Sequence, residues 1–167
     1  GCTGEDVAYV SGQKGALMDF QMEVALPEAP ERIWAVMVDV PSIAACIPGC
    51  ENVVEEARLE HYSVTFKQKI GPFKLEVPAE IKVDNYEAPR SLKAQASGVD
   101  KLTRTKLAVV FDVTLTPIEP ASCQFSISAQ LQVAGKLASL GYSLIKKKAE
   151  ENFAEFEKRI RAQLEAI

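Results

Sequence analysis

The stretch GKLASLGYSLIKKKAEENFAEFEKRIRAQLE, residues 135–165, decides the fold of this chain of 167 residues. Its apolar side chains recur every three or four residues, which is the spacing of one face of an α-helix. The row consists of Leu137, Leu140, Leu144, Ala149, Phe153, Phe156, Ile160 and Leu164. The spacing predicts one long helix over residues 135–165. A helix of this kind must bury its apolar stripe against a second layer of structure.

The segments before this helix predict that the second layer is a β-sheet. Apolar and polar residues alternate in them, as Phe20, Met22, Val24 and Leu26 do in the first segment, and alternation is typical of strands with one buried face. Seven strands are predicted, at about residues 18–27, 50–58, 61–70, 73–84, 91–99, 103–117 and 121–134. Short turns such as Gly71-Pro72 separate most of them, which favours an antiparallel meander.

Two short helices are predicted between the first and second strands. Pro30 and Glu31 are residues typical of a helix start, and a second helix runs from Pro41 to about Cys46 before Pro48-Gly49 ends it. The fold class is therefore α+β: a curved seven-stranded antiparallel sheet with two short helices and a long C-terminal helix. We assign the domain to residues 18–167. Residues 1–17 are Gly-rich and weakly patterned, and we expect an N-terminal arm or a cloning remnant outside the fold.

Small residues on the predicted inner face point to a cavity between the sheet and the helix. Ala94, Ala96 and Gly98 share one strand face, and Ala79 and Ala129 add small side chains on other strands. Such a space suits a small apolar molecule, whereas the alternative is a fully packed core. The polar groups expected in it are Tyr62, Gln68, Thr103 and Thr105. The expected pocket residues are Trp34, Ile43, Cys46, Ile47, Val64, Phe66, Gln68, Phe73, Leu75, Ala94, Ala96, Phe111, Leu137, Leu140, Gly141 and Leu144.

The sequence contains no arrangement of residues that is typical of catalysis. It has a single histidine, His61, and Cys46 and Cys50 are separated by three residues, unlike a zinc knuckle or a thioredoxin-like pair. No glycine-rich phosphate loop is present. We predict no catalytic residue, no metal and no cofactor, and interpret the thiols of Cys46 and Cys50 as small apolar groups. Metal binding and redox chemistry at this pair are the less favoured alternatives.

The net charge and the hydropathy of the sequence indicate which classes of partner the protein binds. The net charge of -4 argues against a nucleic-acid binder. The densest basic run, Lys146, Lys147 and Lys148, is a candidate surface for a membrane or a protein partner, and a solvated helix face is the alternative. No signal peptide or spanning segment is visible. We therefore expect a cytoplasmic protein with free thiols.

Three segments resemble the CoxG family, named for the G subunit of carbon monoxide dehydrogenase, which belongs to the START-like (SRPBCC, Bet v 1-type, polyketide cyclase) superfamily. They are PERIWAVMVDVPSIAACIPGCENV at 30–53, KIGPFK at 69–74 and AGKLASLGYSLIKKKAEENFAEF at 134–156. The resemblance implies a helix-grip fold around a hydrophobic cavity. It also implies a quinone or another lipid in that cavity, a molybdenum hydroxylase of the carbon monoxide dehydrogenase type as partner, and peripheral contact with the inner face of the membrane.

The favoured hypothesis is a non-catalytic carrier of an apolar molecule that serves an oxidoreductase. Two alternatives stay open: an enzyme of the cyclase or hydrolase type, and an assembly factor whose cavity is incidental. Some members of the family carry a hydrophobic C-terminal tail, and this sequence ends at Ile167 without one. Contact with a membrane is therefore expected to be transient and to use Lys146–Lys148.

Overall fold

The computed structural model describes residues 2–8 and 15–165. One antiparallel sheet, three α-helices and one 3-10 helix make up this part of the chain. The strands are β1 (Cys2–Ala8), β2 (Gly15–Leu26), β3 (Cys50–Ala57), β4 (His61–Ile70), β5 (Phe73–Glu87), β6 (Ser91–Val99), β7 (Lys106–Glu119) and β8 (Ser122–Ala134). The helices are α1 (Pro30–Met37), α2 (Val40–Ala44), the 3-10 helix Lys136–Leu140 and α3 (Tyr142–Glu165).

The strand order in the sheet is β1-β2-β8-β7-β6-β5-β4-β3. Strands β3 to β8 form a continuous meander, and β2 pairs with β8 without interruption from Gly15↔Ala134 to Leu26↔Cys123. Helices α1 and α2 therefore carry the chain from one side of the sheet to the other. The seven predicted strands are confirmed as β2 to β8, and so is the helix-grip arrangement with two short helices and a long C-terminal helix.

An eighth strand corrects the predicted N-terminal boundary. Strand β1 pairs with β2, with Cys2 opposite Met22 and Ala8 opposite Leu17, and β2 begins at Gly15. The expectation that residues 1–17 lie outside the fold is therefore wrong for residues 2–8 and 15–17, while residues 1 and 9–14 lie outside the described residues. An added edge strand pairs through backbone N–H and C=O groups. Such pairing does not require apolar alternation, so the residue pattern does not reveal it.

The long helix begins seven residues later than predicted. Gly135 and Gly141 have φ angles of 92° and 87°, and they flank the 3-10 helix. These angles lie outside the α-helical region and are adopted readily only by glycine. The periodic leucines of residues 137–144 thus belong to two different elements. Gly135 has a second constraint, because a Cβ atom there would meet the carbonyl oxygen of Arg104.

The core lies between α3 and the inner face of the sheet. The buried residues of α3 are Ile145, Phe156, Ile160 and Leu164, and they face the alternating row Met18–Leu26 of β2. The rings of Phe20 and Phe153 stand 5.2 Å apart between centroids. Each fully buried side chain of this size contributes about 1.5–3 kcal/mol to folding, so this layer holds the helix against the sheet.

Candidate ligand-binding cavity

A cavity of about 320 Å³ lies between the inner face of the sheet, α2 and the middle of α3. Strands β4 to β8 provide most of its wall. The lining residues of the sheet are Phe20, Cys50, Val64, Phe66, Val77, Ala79, Ile81, Val83, Leu92, Ala94, Ala96, Ser97, Gly98, Leu107, Val109, Phe111, Val113, Phe125, Ile127, Ala129 and Leu131. The lining residues of the helices and the loop between them are Met37, Val40, Ile43, Ala44, Ile47, Ala149, Asn152, Phe153 and Phe156.

Small side chains help to leave this space empty. Ala79, Ala94, Ala96 and Gly98 lie on two neighbouring strands, and Ala149 faces them from α3. In register, Gly98 pairs with Ala79 and Ala96 pairs with Ile81. A Cβ atom at Gly98 would meet the carbonyl oxygen of Pro78, so the backbones approach closely there. The inner face thus combines a bent sheet with side chains too short to reach the helix.

Seven of the sixteen residues predicted to line a pocket do line this cavity. They are Ile43, Ile47, Val64, Phe66, Ala94, Ala96 and Phe111. The five that lie on strands were found because alternation identifies the inner face of a strand. Ile43 and Ile47 come from α2 and the turn that follows it, so this segment covers one side of the cavity.

The other nine predicted pocket residues do not line the cavity, and the late start of α3 explains four of them. Leu137 and Leu140 belong to the 3-10 helix, Gly141 follows it, and Leu144 lies in the first turn of α3, whereas the part of α3 that lines the cavity is residues 149–156. Leu137 is buried and Leu144 is 39% exposed. Leu140 and Leu144 lie against the β4–β5 turn, where a Cβ atom on Gly71 would be 3.3 Å from Cδ2 of Leu144.

The remaining five predicted pocket residues lie outside the cavity for different local reasons. Leu75 is buried in the core, and Phe73 packs against that core at the turn end of β5. Trp34 packs against Tyr86, with ring centroids 6.1 Å apart. Cys46 is buried in the core, while Cys50, at the start of β3, lines the cavity instead.

Gln68, the last of the five, and the three other polar groups expected in the cavity hydrogen bond within the protein. The amide nitrogen of Gln68 donates to the carbonyl oxygen of Pro48 at 2.7 Å. The hydroxyl of Tyr62 accepts from the backbone N–H of Leu59 at 2.6 Å. Thr103 and Thr105 are bonded to each other and to Asp100 and Leu137, respectively.

Asn152 is one of two polar lining residues that the sequence interpretation missed, and Ser97 is the other. A signal for Asn152 existed, because residue 152 lies three positions after Ala149 and four before Phe156, on the same face of α3. An asparagine in an apolar row is easily assigned to the solvent side. The structure instead places it in the cavity wall beside Phe153.

No charged side chain lines the cavity within the described part of the chain. The thiol of Cys50 is partly buried, and this burial, together with the nearby Glu51 carboxylate, raises its pKa. Burial also raises the pKa of Cys46, against a smaller opposing effect of Arg159. Both thiols are therefore protonated at neutral pH, which makes them weak nucleophiles and poor metal ligands.

Among residues 17–165, whose side chains the structure describes, no group of three or more histidine, cysteine, aspartate or glutamate side chains is placed to hold a metal ion. Cys46, Cys50 and Cys123 are free thiols. Cys46 and Cys50 do not form a disulfide, and metal binding and redox chemistry at this pair stay the less favoured alternatives.

The basic run on α3 does not form one continuous face. Lys147 is exposed, whereas Lys146 lies 5.6 Å from the centroid of the Tyr142 ring and Lys148 is 4.0 Å from Glu151. Successive helical residues are about 100° apart around the axis. No helix among the described residues is long and apolar enough to cross a membrane.

A wider depression of about 790 Å³ borders strands β3 to β8 and is more open to solvent. Its wall includes the polar or charged residues Ser63, Thr65, Glu80 and Lys106. This mixed surface is less suited to an apolar molecule than the inner cavity.

Comparison with solved structures identifies the same fold in other proteins. A conserved protein from Geobacillus kaustophilus has a TM-score of 0.79 at 21% identity, covering 89% of this chain and 95% of that one. A START superfamily protein from Mycobacterium smegmatis has a TM-score of 0.65 at 14% identity, covering 89% and 97%. The Zhui aromatase/cyclase from Streptomyces sp. R1128 has a TM-score of 0.64 at 12% identity, covering 89% and 94%.

A search of curated proteins finds no match. The family model for CoxG, the G subunit of carbon monoxide dehydrogenase, matches residues 22–165. This range begins in β2 and ends with α3, so it includes nearly all of the elements that form the cavity. The chain therefore belongs to the carbon monoxide dehydrogenase CoxG family.

Proposed function

We propose that this protein is a non-catalytic carrier of an apolar small molecule, bound in the cavity between α3 and the sheet. The observation that carries the proposal is the cavity wall, which is almost entirely hydrocarbon and has no charged side chain among the described residues. Affinity would come from removing carbon surface from water, at roughly 25 cal/mol per Å² before the ordering costs. General acid–base catalysis requires a titratable group at the reacting atoms, and this wall offers only a protonated thiol.

The family membership supports a more specific proposal for the ligand and the partner. A quinone-like lipid is the proposed ligand, and a molybdenum hydroxylase of the carbon monoxide dehydrogenase type is the proposed partner. The carrier would hold the quinone ring and part of its chain, and would deliver it to the enzyme as electron acceptor. On this proposal, the protein is cytoplasmic and binds transiently to the inner face of the membrane, where it takes up its ligand.

We propose that the surface that contacts the membrane consists of the β4–β5 turn and the start of α3. Lys69 and Lys74 are directly opposite each other in the register of β4 and β5, and both are exposed. Like charges in this position repel, and an anionic surface would relieve the repulsion. The apolar side chain of Leu144 lies beside the turn and is partly exposed. Lys147 extends the basic surface along α3.

The test of the carrier function is the identity of what the protein retains when it is purified from its own host. We expect extraction with organic solvent, followed by mass spectrometry, to yield a lipid or quinone at close to one molecule per chain. The variant Ala96→Phe fills the cavity and should lose most of this ligand. Absence of any extractable molecule, together with no binding in titrations of quinones and lipids, would refute the carrier function.

The same variant separates the carrier from an assembly factor. If the cavity is incidental, Ala96→Phe should still bind the molybdenum hydroxylase and support its maturation. If the protein is a carrier, the variant should bind the enzyme but fail to support electron transfer to quinone in a reconstituted assay.

A further inference from the structure

Asn152 is the one amide side chain in the wall of the cavity within the described part of the chain. It lies on α3 between Ala149 and Phe156, next to Phe153, and all four residues face the cavity. Three of these side chains are apolar, so an amide here interrupts the hydrocarbon surface of the helix. The opposite wall consists of small and apolar residues of β5 to β8, together with the polar residue Ser97.

The amide of Asn152 makes no hydrogen bond within residues 17–165. Gln68 and Tyr62, which the sequence placed in the cavity, differ in this respect, since Gln68 is bonded to Pro48 and Tyr62 to Leu59. The polar atoms of this amide are partly accessible, so water in the cavity can hydrogen bond to them. A bound molecule that displaces this water takes away a hydrogen bond of the amide unless it offers an acceptor or a donor to Asn152, and a pure hydrocarbon offers neither.

The cavity wall has no charged side chain among the described residues, and this indicates which polar groups a bound molecule can carry. No lysine, arginine or histidine among the described residues lines the cavity to pair with a carboxylate or a phosphate, and no acidic side chain lines it to pair with a cation. An ion moved from water into an apolar site without a partner loses its hydration. The polar group that meets Asn152 is therefore neutral.

We propose that the cavity selects neutral, mostly hydrocarbon molecules that carry a carbonyl or hydroxyl oxygen, and that Asn152 hydrogen bonds to this oxygen. The proposal rests on the carrier function, and it names the residue and the chemical group that give the carrier its selectivity. On this proposal, the cavity binds ketones, quinones and neutral alcohols in preference to fatty acids, because the carboxylate of a fatty acid has no charged partner in the wall.

Three bicyclic probes of nearly equal shape test the proposal: 2-acetylnaphthalene, 2-isopropylnaphthalene and 2-naphthoate. They present a neutral carbonyl, a hydrocarbon and a carboxylate on the same ring system. Each is titrated by calorimetry into the full-length protein after bound molecules have been stripped, in the wild type and in Asn152→Leu. The matched control is Ala154→Leu, which makes the same apolar side chain at an exposed position of α3.

We expect the wild type to bind the ketone and the hydrocarbon and to bind 2-naphthoate at least about 10-fold more weakly than the ketone. In Asn152→Leu, the ratio of ketone affinity to hydrocarbon affinity should fall by about 3- to 10-fold. Ala154→Leu should leave the ratio unchanged. The two probes have nearly equal shape, so a change in packing affects both affinities alike. The ratio of ketone affinity to hydrocarbon affinity therefore reports the hydrogen bond.

The outcomes distinguish this proposal from the carrier function on which it rests. If neither the ketone nor the hydrocarbon binds to the stripped wild type, the carrier function fails. If both bind and Asn152→Leu changes their affinities equally, the carrier function stands and the role of Asn152 is wrong. If 2-naphthoate binds as tightly as the ketone, the restriction to neutral molecules is wrong.

Discussion

The backbone N–H of Leu137 donates a hydrogen bond of 3.2 Å to the hydroxyl oxygen of Thr105, and this bond joins the β6–β7 loop to the 3-10 helix before α3. The hydroxyl of Thr105 is also 2.7 Å from that of Thr103, whose oxygen is 2.5 Å from a carboxylate oxygen of Asp100. Asp100 and Thr105 are buried. This short chain of hydrogen bonds holds the segment that leads into α3.

The first prediction concerns the hydroxyl of Thr105. Thr105→Val keeps the shape of the side chain but leaves the N–H of Leu137 and the hydroxyl of Thr103 without this partner. Because an unsatisfied buried polar group costs about 1–3 kcal/mol, the free energy of unfolding should fall by about that amount in urea denaturation. Thr105→Ser keeps the hydroxyl and should recover most of the loss. Equal stability of the valine and serine variants would contradict the role given to this bond.

A second prediction follows from the carboxylate at the end of the same chain. Burial pushes the pKa of Asp100 upward, but hydrogen bonds from the Thr103 hydroxyl and from backbone N–H groups, including that of Leu102, outweigh it, and the pKa is lowered. The folded state therefore binds the proton more weakly than the unfolded state. The ionised carboxylate stabilises the fold above the unfolded pKa of about 3.9, and this stabilisation is lost as the pH falls through the folded pKa.

The variant Asp100→Asn removes this dependence. We expect it to be clearly less stable than the wild type at pH 7, and the gap should narrow steadily as urea denaturation is repeated from pH 5 down to pH 3. Asp112→Asn, at an exposed position of β7, is the control and should show no such convergence. A gap for Asp100→Asn that stays constant with pH would mean that its ionisation does not contribute.

Alternation predicted the strands but not the part of each strand that borders the cavity. On β5, Phe73 and Leu75 share the inner face with Val77, Ala79, Ile81 and Val83, yet the latter four line the cavity and the first two do not. Periodicity identifies a face, whereas the position of the cavity along that face depends on where α3 crosses it. That crossing follows from the start of α3 at Tyr142, which no periodic pattern in residues 135–165 specifies.

The two glycines that delay this start provide a third prediction. Gly135 and Gly141 both combine a positive φ with an extended ψ, so alanine at either position adopts a backbone conformation that costs of order 1–3 kcal/mol. Only at Gly135 would the new Cβ atom also meet the carbonyl oxygen of Arg104, because no atom lies within 4 Å of a Cβ atom at Gly141. We expect Gly135→Ala to lower the free energy of unfolding by at least about 1 kcal/mol more than Gly141→Ala. Equal losses would show that backbone strain alone acts at both sites.

The last prediction tests the proposed membrane surface at the β4–β5 turn. The ammonium groups of Lys69 and Lys74 have no described carboxylate within 4 Å, whereas Lys67 on the same strand is 3.0 Å from Glu51. A lysine close to an anionic membrane contributes about 1 kcal/mol of attraction. The double variant Lys69→Glu with Lys74→Glu should therefore weaken binding to vesicles of phosphatidylglycerol and phosphatidylcholine by more than about 10-fold in co-sedimentation at low salt.

The control is Lys158→Glu, which changes an exposed charge on α3 about 24 Å along the helix from Tyr142. It should leave vesicle binding nearly unchanged. The single variant Lys69→Glu places a carboxylate opposite Lys74 and replaces a repulsive pair with an attractive one. It should raise stability by a few tenths of a kcal/mol while it weakens vesicle binding, which separates loss of the surface from loss of the fold. If Lys158→Glu weakens binding as much as Lys69→Glu does, the attraction is general and the β4–β5 turn is not the contact.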